Sequence, residues 1–511
     1  MNIKKRYKIA FSIFILVALF AVIPFLHVCA ANQAKVRNAG VAGSFYPGDA
    51  KQLTAMIEDF LARTPQPKID GTLLAAVAPH AGYEYSGPVA AYTYAALRGH
   101  KYSRVVVIAP SHYEGFEFTS IYDGDAYATP LGNVPVDKAF AAKLARMDGT
   151  LQLSGKGHTA TSAGAEHAIE VQLPWLQRVL GDFQLVPIVM GDQSYESSRA
   201  LGVALAKLIQ EEKKQGKAAG ETLVLASSDL SHYHTYDQAV KMDRKTLHAL
   251  EGWDYLSMSQ NFQQRVWEAC GGAPIVAAMI YAERMGANQA QVLKYANSGD
   301  VTSDKSRVVG YSADVFVKTA SSKAASIPFS LSDAEKSELL SVAHRSTELA
   351  VKERKSYEPQ ASASETLNQE RGAFVTLKEA GQLRGCIGYT SAVKPLYLTV
   401  RDTAAFAALR DPRFAPVTVA ELPKLDYEIS VLSPMRRVTD LREIKVGEHG
   451  LLMKNGSFEG LLLPQVPVEE KWNRQTFLEE TCQKAGMSAS CWKDDRTDIF
   501  AFTAVVFGER K

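Results

Sequence analysis

Six runs of apolar, mostly β-branched residues limit what this chain can fold into: TLLAAVAP (72–79), RVVVIAP (104–110), QLVPIVMG (184–191), ETLVLASS (221–228), QVLKYANS (291–298) and RVVGYSADVFV (307–317). Continuous rather than alternating apolarity means strands covered on both faces. Helical patterns between the runs, such as 135–147 and 198–214, supply the covers. The arrangement predicts an α/β layered domain with a largely parallel sheet.

In open α/β sheets, ligands bind beyond the carboxyl ends of the strands. His80 follows the first run in PHAGYEYSG, His112 follows the second in APSH, and His232 follows the fourth in SSDLSH. Three histidines after three buried strands predict one crevice, and neutral imidazole is a common ligand for divalent first-row metals. Asp229, three residues before His232, is placed to orient the second nitrogen of that ring. EHAIEVQLPWL (166–176) adds His167 and Glu170, which would share one face of a helix as an acid/base pair of the pocket or as a helix-start salt pair. Cys270, in ACGGAP ahead of an apolar helix, reads as a small buried residue or as a thiolate ligand stabilised by the helix N-terminus. A serine hydrolase built on Ser111 or Ser231 has no G-x-S-x-G elbow to support it.

The Ser/Ala stretch TASSKAASIPFS (319–330) divides the chain. Beyond it, over 331–511, come a long amphipathic helix (about 332–356), short strands, a type I′ hairpin signal at Asn455-Gly456, and a second helix at 472–484, which together predict a smaller α+β domain. The change of pattern predicts that the two halves fold separately. Cys482 and Cys491, nine residues apart, are candidates for a disulfide. Arg384 and Cys386 in LRGCIG read as a structural turn with a buried cysteine rather than a ligand groove.

The N-terminus carries Lys4, Lys5, Arg6 and Lys8 ahead of an uncharged run over 9–26 and Val28-Cys29-Ala30. Residues 1–30 therefore predict a cleaved secretory signal, a membrane anchor or a lipidated cysteine. Each would make the protein exported or anchored, with membrane contact only through this segment. With 57 basic against 55 acidic residues, the chain has no electrostatic footprint of a nucleic-acid binder.

The motifs PHAGYEYSG, APSHYEG, TPLGNVPVD, EHAIEVQLPWL, SSDLSHYH, CGGAP and YANSGDVTSDKSRVVGYSA resemble, in order over 37–318, the Memo family, also called AmmeMemoRadiSam system protein B. RGAFVTL, LRGCIGY, DPRF, YEISVLS and GLLLPQV resemble the AMMECR-type domain, system protein A. The resemblance implies a first-half fold similar to class III extradiol dioxygenases, which hold iron(II) with two histidines and a glutamate. By motif it implies His80 and His112 as metal ligands, Cys270 as the third, and His232 as acid/base. A cysteine in place of the carboxylate softens the site, so iron is implied first, with copper or zinc compatible. A radical-SAM protein of the same system is the implied partner, beside a small-molecule or protein substrate. Two function classes follow: a metal-dependent oxidoreductase or modifying enzyme, and a non-catalytic metal-binding adaptor that recruits partners through the AMMECR-type half.

Overall fold

The computed structural model describes residues 34–216, 221–320 and 329–509. The first half holds a nine-stranded sheet of β1 (Thr72–Ala78), β2 (Tyr102–Pro110), β3 (Thr119–Ile121), β4 (Leu151–Leu153), β5 (Gln184–Met190), β6 (Glu221–Ser227), β7 (His232–His234), β8 (Gln289–Asn297) and β9 (Val308–Lys318). Their order is β7-β9-β1-β6-β2-β5-β3-β4, with β8 pairing β9. Four strands, β1, β6, β2 and β5, form the parallel block, and β8 and β9 run antiparallel to their neighbours. The sheet is thus less parallel than the apolar runs predict. The physical reason is the connection from β8 to β9, too short for the crossover that a parallel pair needs.

Helices α1 (Ala50–Arg63), α2 (Tyr83–Leu97), α3 (Leu173–Leu180), α4 (Tyr195–Lys214), α5 (Tyr236–Glu251) and α6 (Gly272–Arg284) cover the sheet. Alternate residues of a strand point to opposite faces, and β6 divides accordingly. Its Leu223 and Leu225 pack with Leu53, Tyr94 and Trp175 of α1 to α3. Val224 and Ala226 pack with Leu201, Ile275 and Met279 of α4 and α6. Helix α6 is buried from Gly272 to Ala282, as expected of a helix apolar all round.

The second half comprises α7 (Asp333–Glu353), β10 (Ala373–Glu379), β11 (Gln382–Tyr389), α8 (Leu396–Leu409), β12 (Leu425–Leu432), β13 (Gly450–Asn455), β14 (Phe458–Leu462), α9 (Arg474–Lys484), β15 (Asp498–Phe502) and β16 (Ala504–Gly508). One sheet has the order β11-β10-β12-β16, and β15, β13 and β14 lie in the other. Ser332 caps α7 in a capping box with Glu335. The hairpin at β13–β14 is present, but its central residues are Gly456-Ser457, because Asn455 pairs with Phe458 and belongs to the strand. Gly456 alone of the two has positive φ, so the type I′ expectation, which needs both, does not hold. Cys482 and Cys491 form a disulfide at a Cα–Cα distance of 5.7 Å.

The expectation of two separately folding halves meets a core that runs across them. Leu432, Met435, Leu452, Phe500 and Phe502 join the cluster that contains α4 and α6. Asp498 binds Tyr195, Arg199 and Arg284 across the same boundary. The expected linker lies mostly outside the described residues, as do the proposed signal, anchor and lipidation features of residues 1–30. The exported or membrane-anchored placement is corrected: among the described residues, no helix is long and apolar enough to cross a membrane.

Candidate metal centre

Strands β1, β6 and β2 are neighbours and end nearly level, with Ser227 opposite Ala78 and Ala226 opposite Ile108. The residues that follow them therefore enter one crevice, and His80 and His112 meet there with ring centroids 5.1 Å apart. The ring of His167 stacks on His112 at 4.7 Å. Among the described residues, one ligand atom from each of His80, His112 and His167 lies within 4.8 Å of the others.

Hydrogen bonds fix the tautomers. The Ser227 hydroxyl donates to the Ala168 carbonyl (2.6 Å) and accepts from the Gln172 amide (2.8 Å). Its contact with His80 Nδ1 (2.9 Å) is therefore one in which the ring donates, which leaves Nε2 with a bare lone pair. That Nε2 accepts from the Cys270 thiol at 3.0 Å. His112 Nδ1 donates to Glu166 Oε1 (3.0 Å), so its Nε2 is bare as well. Burial alone would push the Glu166 carboxyl up, but the bonds from His112 and the Ala168 N–H outweigh it and hold the group at about 2. His167 Nδ1 is buried and, among the described residues, has no hydrogen-bond partner.

The same burial keeps the His80 and His167 rings neutral. It lowers His80 well below the usual histidine range, with help from His112, and takes His167 down to about 3. It also pushes the Cys270 thiol up, assisted by Asp229, despite an N–H from Asp229 donating to the sulfur at 3.2 Å. Gly271 is what lets Cys270 approach, since a Cβ there would stand 2.3 Å from the Ser227 carbonyl oxygen. Neutral imidazoles with bare nitrogens, an orphaned buried nitrogen and an adjacent thiol together fit a transition metal.

The other expected residues are placed as follows. His232 stands at the crevice with its Nδ1–H donating to the Leu230 carbonyl (2.8 Å). Leu230, not Asp229, thus orients that ring, while the Asp229 carboxylate accepts from the His80 backbone N–H (2.8 Å). The helix expected over 166–176 begins only at Glu170, as a 3-10 turn leading into α3, so His167 and Glu170 do not share a face. Glu170 is fully buried and turned away. It binds Arg37, accepts from the Tyr46 hydroxyl (2.6 Å), and accepts from the backbone N–H groups of Gly40 and Val41. The sequence reading missed Glu166, Ser227 and Gln172. Glu166 had a signal, being a carboxylate next to a histidine, but the assumed helix directed attention to Glu170. Glu268, also missed, accepts from the His232 N–H (3.2 Å) and pairs with His234 (3.0 Å).

A family model described as Memo-like protein matches residues 37–315, and one described as AMMECR1 matches 340–507. A MEMO1 family protein of Methanopyrus kandleri is 39% identical over 290 residues, covering 55% of this chain and 98% of that protein. One from Methanosarcina mazei is 37% identical over 284 residues, with 55% and 98% covered. Among solved structures, an uncharacterized protein from Pyrococcus horikoshii is 40% identical, with 34% of this chain and 90% of that one covered at a TM-score of 0.33.

Proposed function

The chain belongs to the Memo-like protein family and carries an AMMECR1 domain behind it, and from that premise we propose that its first half is a metal-dependent redox or modifying enzyme. The observation that supports this reading most is the pair of bare Nε2 atoms on His80 and His112, beside the thiol of Cys270 and the ring of His167. On this reading His80, His112 and Cys270 hold the metal. A fold like that of extradiol dioxygenases, as the motif resemblance implies, would favour iron(II), and a thiolate also suits copper(I) or zinc. When bound, such a metal supplies Lewis acidity or electron transfer. His232, oriented through Nδ1, keeps Nε2 free to take a proton from a substrate held at the crevice. Glu166 fixes His112, and Asp229 fixes the backbone of His80. The AMMECR1 domain would then meet the radical-SAM partner.

The test is elemental analysis of protein purified anaerobically, followed by dioxygen uptake. One metal per chain is expected, lost in His80→Ala. His232→Ala should keep the metal and lose the uptake. Metal without any uptake in the wild type would favour the adaptor reading, and a wild type that holds no metal would overturn the proposal.

A further inference from the structure

Between the two halves lies a cleft of about 780 Å³ that shares no residue with the histidine site. Its walls come from both halves: His248 and Gly252 at the end of α5, and Phe329, Arg371 and Arg436 beyond the boundary. Volumes of this size hold small organic ligands.

Among the described residues, two arginines that line the cleft have no carboxylate within ion-pair distance. Arg436 and Arg437 are consecutive residues paired with Ala501 and Phe500, so their side chains leave opposite faces of the extended chain. Arg437 reaches across the boundary to Glu283 at 2.6 Å. Among the described residues, no acceptor reaches the guanidinium of Arg436. Arg371 lies over the ring of Phe329, 4.0 Å from its centroid, and donates to the Gln369 side chain at 3.2 Å. Its Nε is buried and, among the described residues, has no hydrogen-bond partner.

The acids nearby do not cancel this charge. Glu251 and Glu443 are exposed, so water and salt screen them. Asp254 is buried and felt by both arginines, but it also accepts from the Ser257 N–H (3.2 Å), and one carboxylate leaves an excess of positive charge. Phe329 and Val438, both half-buried, add an apolar wall.

We infer that this cleft is a binding site for a small organic oxyanion, a phosphate or carboxylate on a compact apolar body. The oxyanion accepts from Arg436 and from the terminal N–H groups of Arg371, and the apolar body lies against Phe329 and Val438. Because both halves form the walls, the bound ligand also bridges them.

Calorimetric titration of the full chain with phenyl phosphate, benzoate, inorganic phosphate and phenol tests this. Phenyl phosphate or benzoate should bind at about millimolar or tighter, and should bind better than inorganic phosphate or phenol. The first two also distinguish phosphate from carboxylate as the preferred headgroup. Arg436→Gln should weaken binding by about tenfold or more, the loss of one charge-assisted hydrogen bond. Its guanidinium makes no hydrogen bond or ion pair among the described residues, so folding and metal content should be unchanged. Arg371→Gln should weaken binding as well, and thermal melts will show whether it stays folded. Glu443→Gln should bind as well as the wild type or better. No binding of either organic anion by the folded wild type, or equal affinity in Arg436→Gln, would overturn the assignment.

Discussion

Cys270 and Cys386 look alike from a distance. Each is a free, half-buried cysteine in a glycine-rich stretch, and burial pushes both thiols up. Their surroundings differ. Cys270 faces the bare Nε2 of His80 at 3.0 Å, in a crevice that three strand ends open together. Cys386 sits inside β11, where the Thr376 hydroxyl donates to its sulfur (3.2 Å) and its own N–H donates to Asp411 (2.8 Å). The glycine beside it serves packing, since a Cβ on Gly385 would stand 2.2 Å from the Ala407 carbonyl oxygen of α8. A reactive-looking residue becomes a ligand candidate when uncommitted donors converge on it, and only Cys270 meets that condition. The largest expected effect follows: Cys270→Ser should lose most of its soft metal, while Cys386→Ser keeps the full wild-type stoichiometry. Equal metal content in the two variants, measured by elemental analysis, would erase the contrast.

Two carboxylates four residues apart extend the comparison. Glu166 serves the crevice, and Glu170 serves the fold. Glu170→Gln leaves the buried Arg37 guanidinium without its counter-charge and should cost about 3–5 kcal/mol of stability. Glu166→Gln should cost less stability and instead weaken metal binding roughly tenfold to a hundredfold, because the group that fixes the His112 ring is lost. Denaturant midpoints and competitive metal titrations of both variants separate the two roles. A reversal of the two profiles would show that the carboxylates have been assigned the wrong way round.

What the sequence made legible follows the same division. Continuous apolar runs announce strands, and strand ends place His80, His112 and His232 near one another without any knowledge of side chains, whereas Cys270, ahead of a helix, joins them only through the motif resemblance. The partners that set each ring's tautomer were not legible. Ser227 and Gln172 are 55 residues apart and meet only because the 3-10 turn ahead of α3 lies against the end of β6. Asp229 and Leu230 are adjacent, so nothing in their spacing says which of them faces His232. The shared core was hidden for a related reason. Composition changes at the boundary, whereas Phe500 and Phe502 look like residues of any buried strand until Tyr255 is seen against one of them.

That shared core bears on the disulfide. Cys482–Cys491 closes a short loop in the second half, and its loss should cost about 2–3 kcal/mol on the chain-entropy view. The double substitution Cys482→Ala with Cys491→Ala should lower the midpoint of one cooperative thermal transition and leave the metal stoichiometry untouched. Two transitions, only one of them shifted, would mean that the halves unfold independently after all.

The smallest effect concerns pH and sets the crevice against the rest of the molecule. Burial, with help from His80 and His112, takes His167 down to about 3 from the ordinary histidine value of 6.5. The unfolded chain therefore binds a proton that the folded chain refuses. Stability from this group is fully present above about pH 6.5 and is lost as pH falls towards the folded value. Between pH 6.5 and 5 the loss is about 2 kcal/mol for one histidine. His80 is shifted in the same direction, so metal-free protein should weaken steadily over this range. His167→Gln removes one of these groups. Its denaturant midpoint should fall less between pH 7 and 5 than that of the wild type, whatever the substitution does to stability at pH 7. Parallel pH profiles for the two proteins would mean that His167 is already solvated, and the stacked arrangement of its ring on His112 would have to be given up.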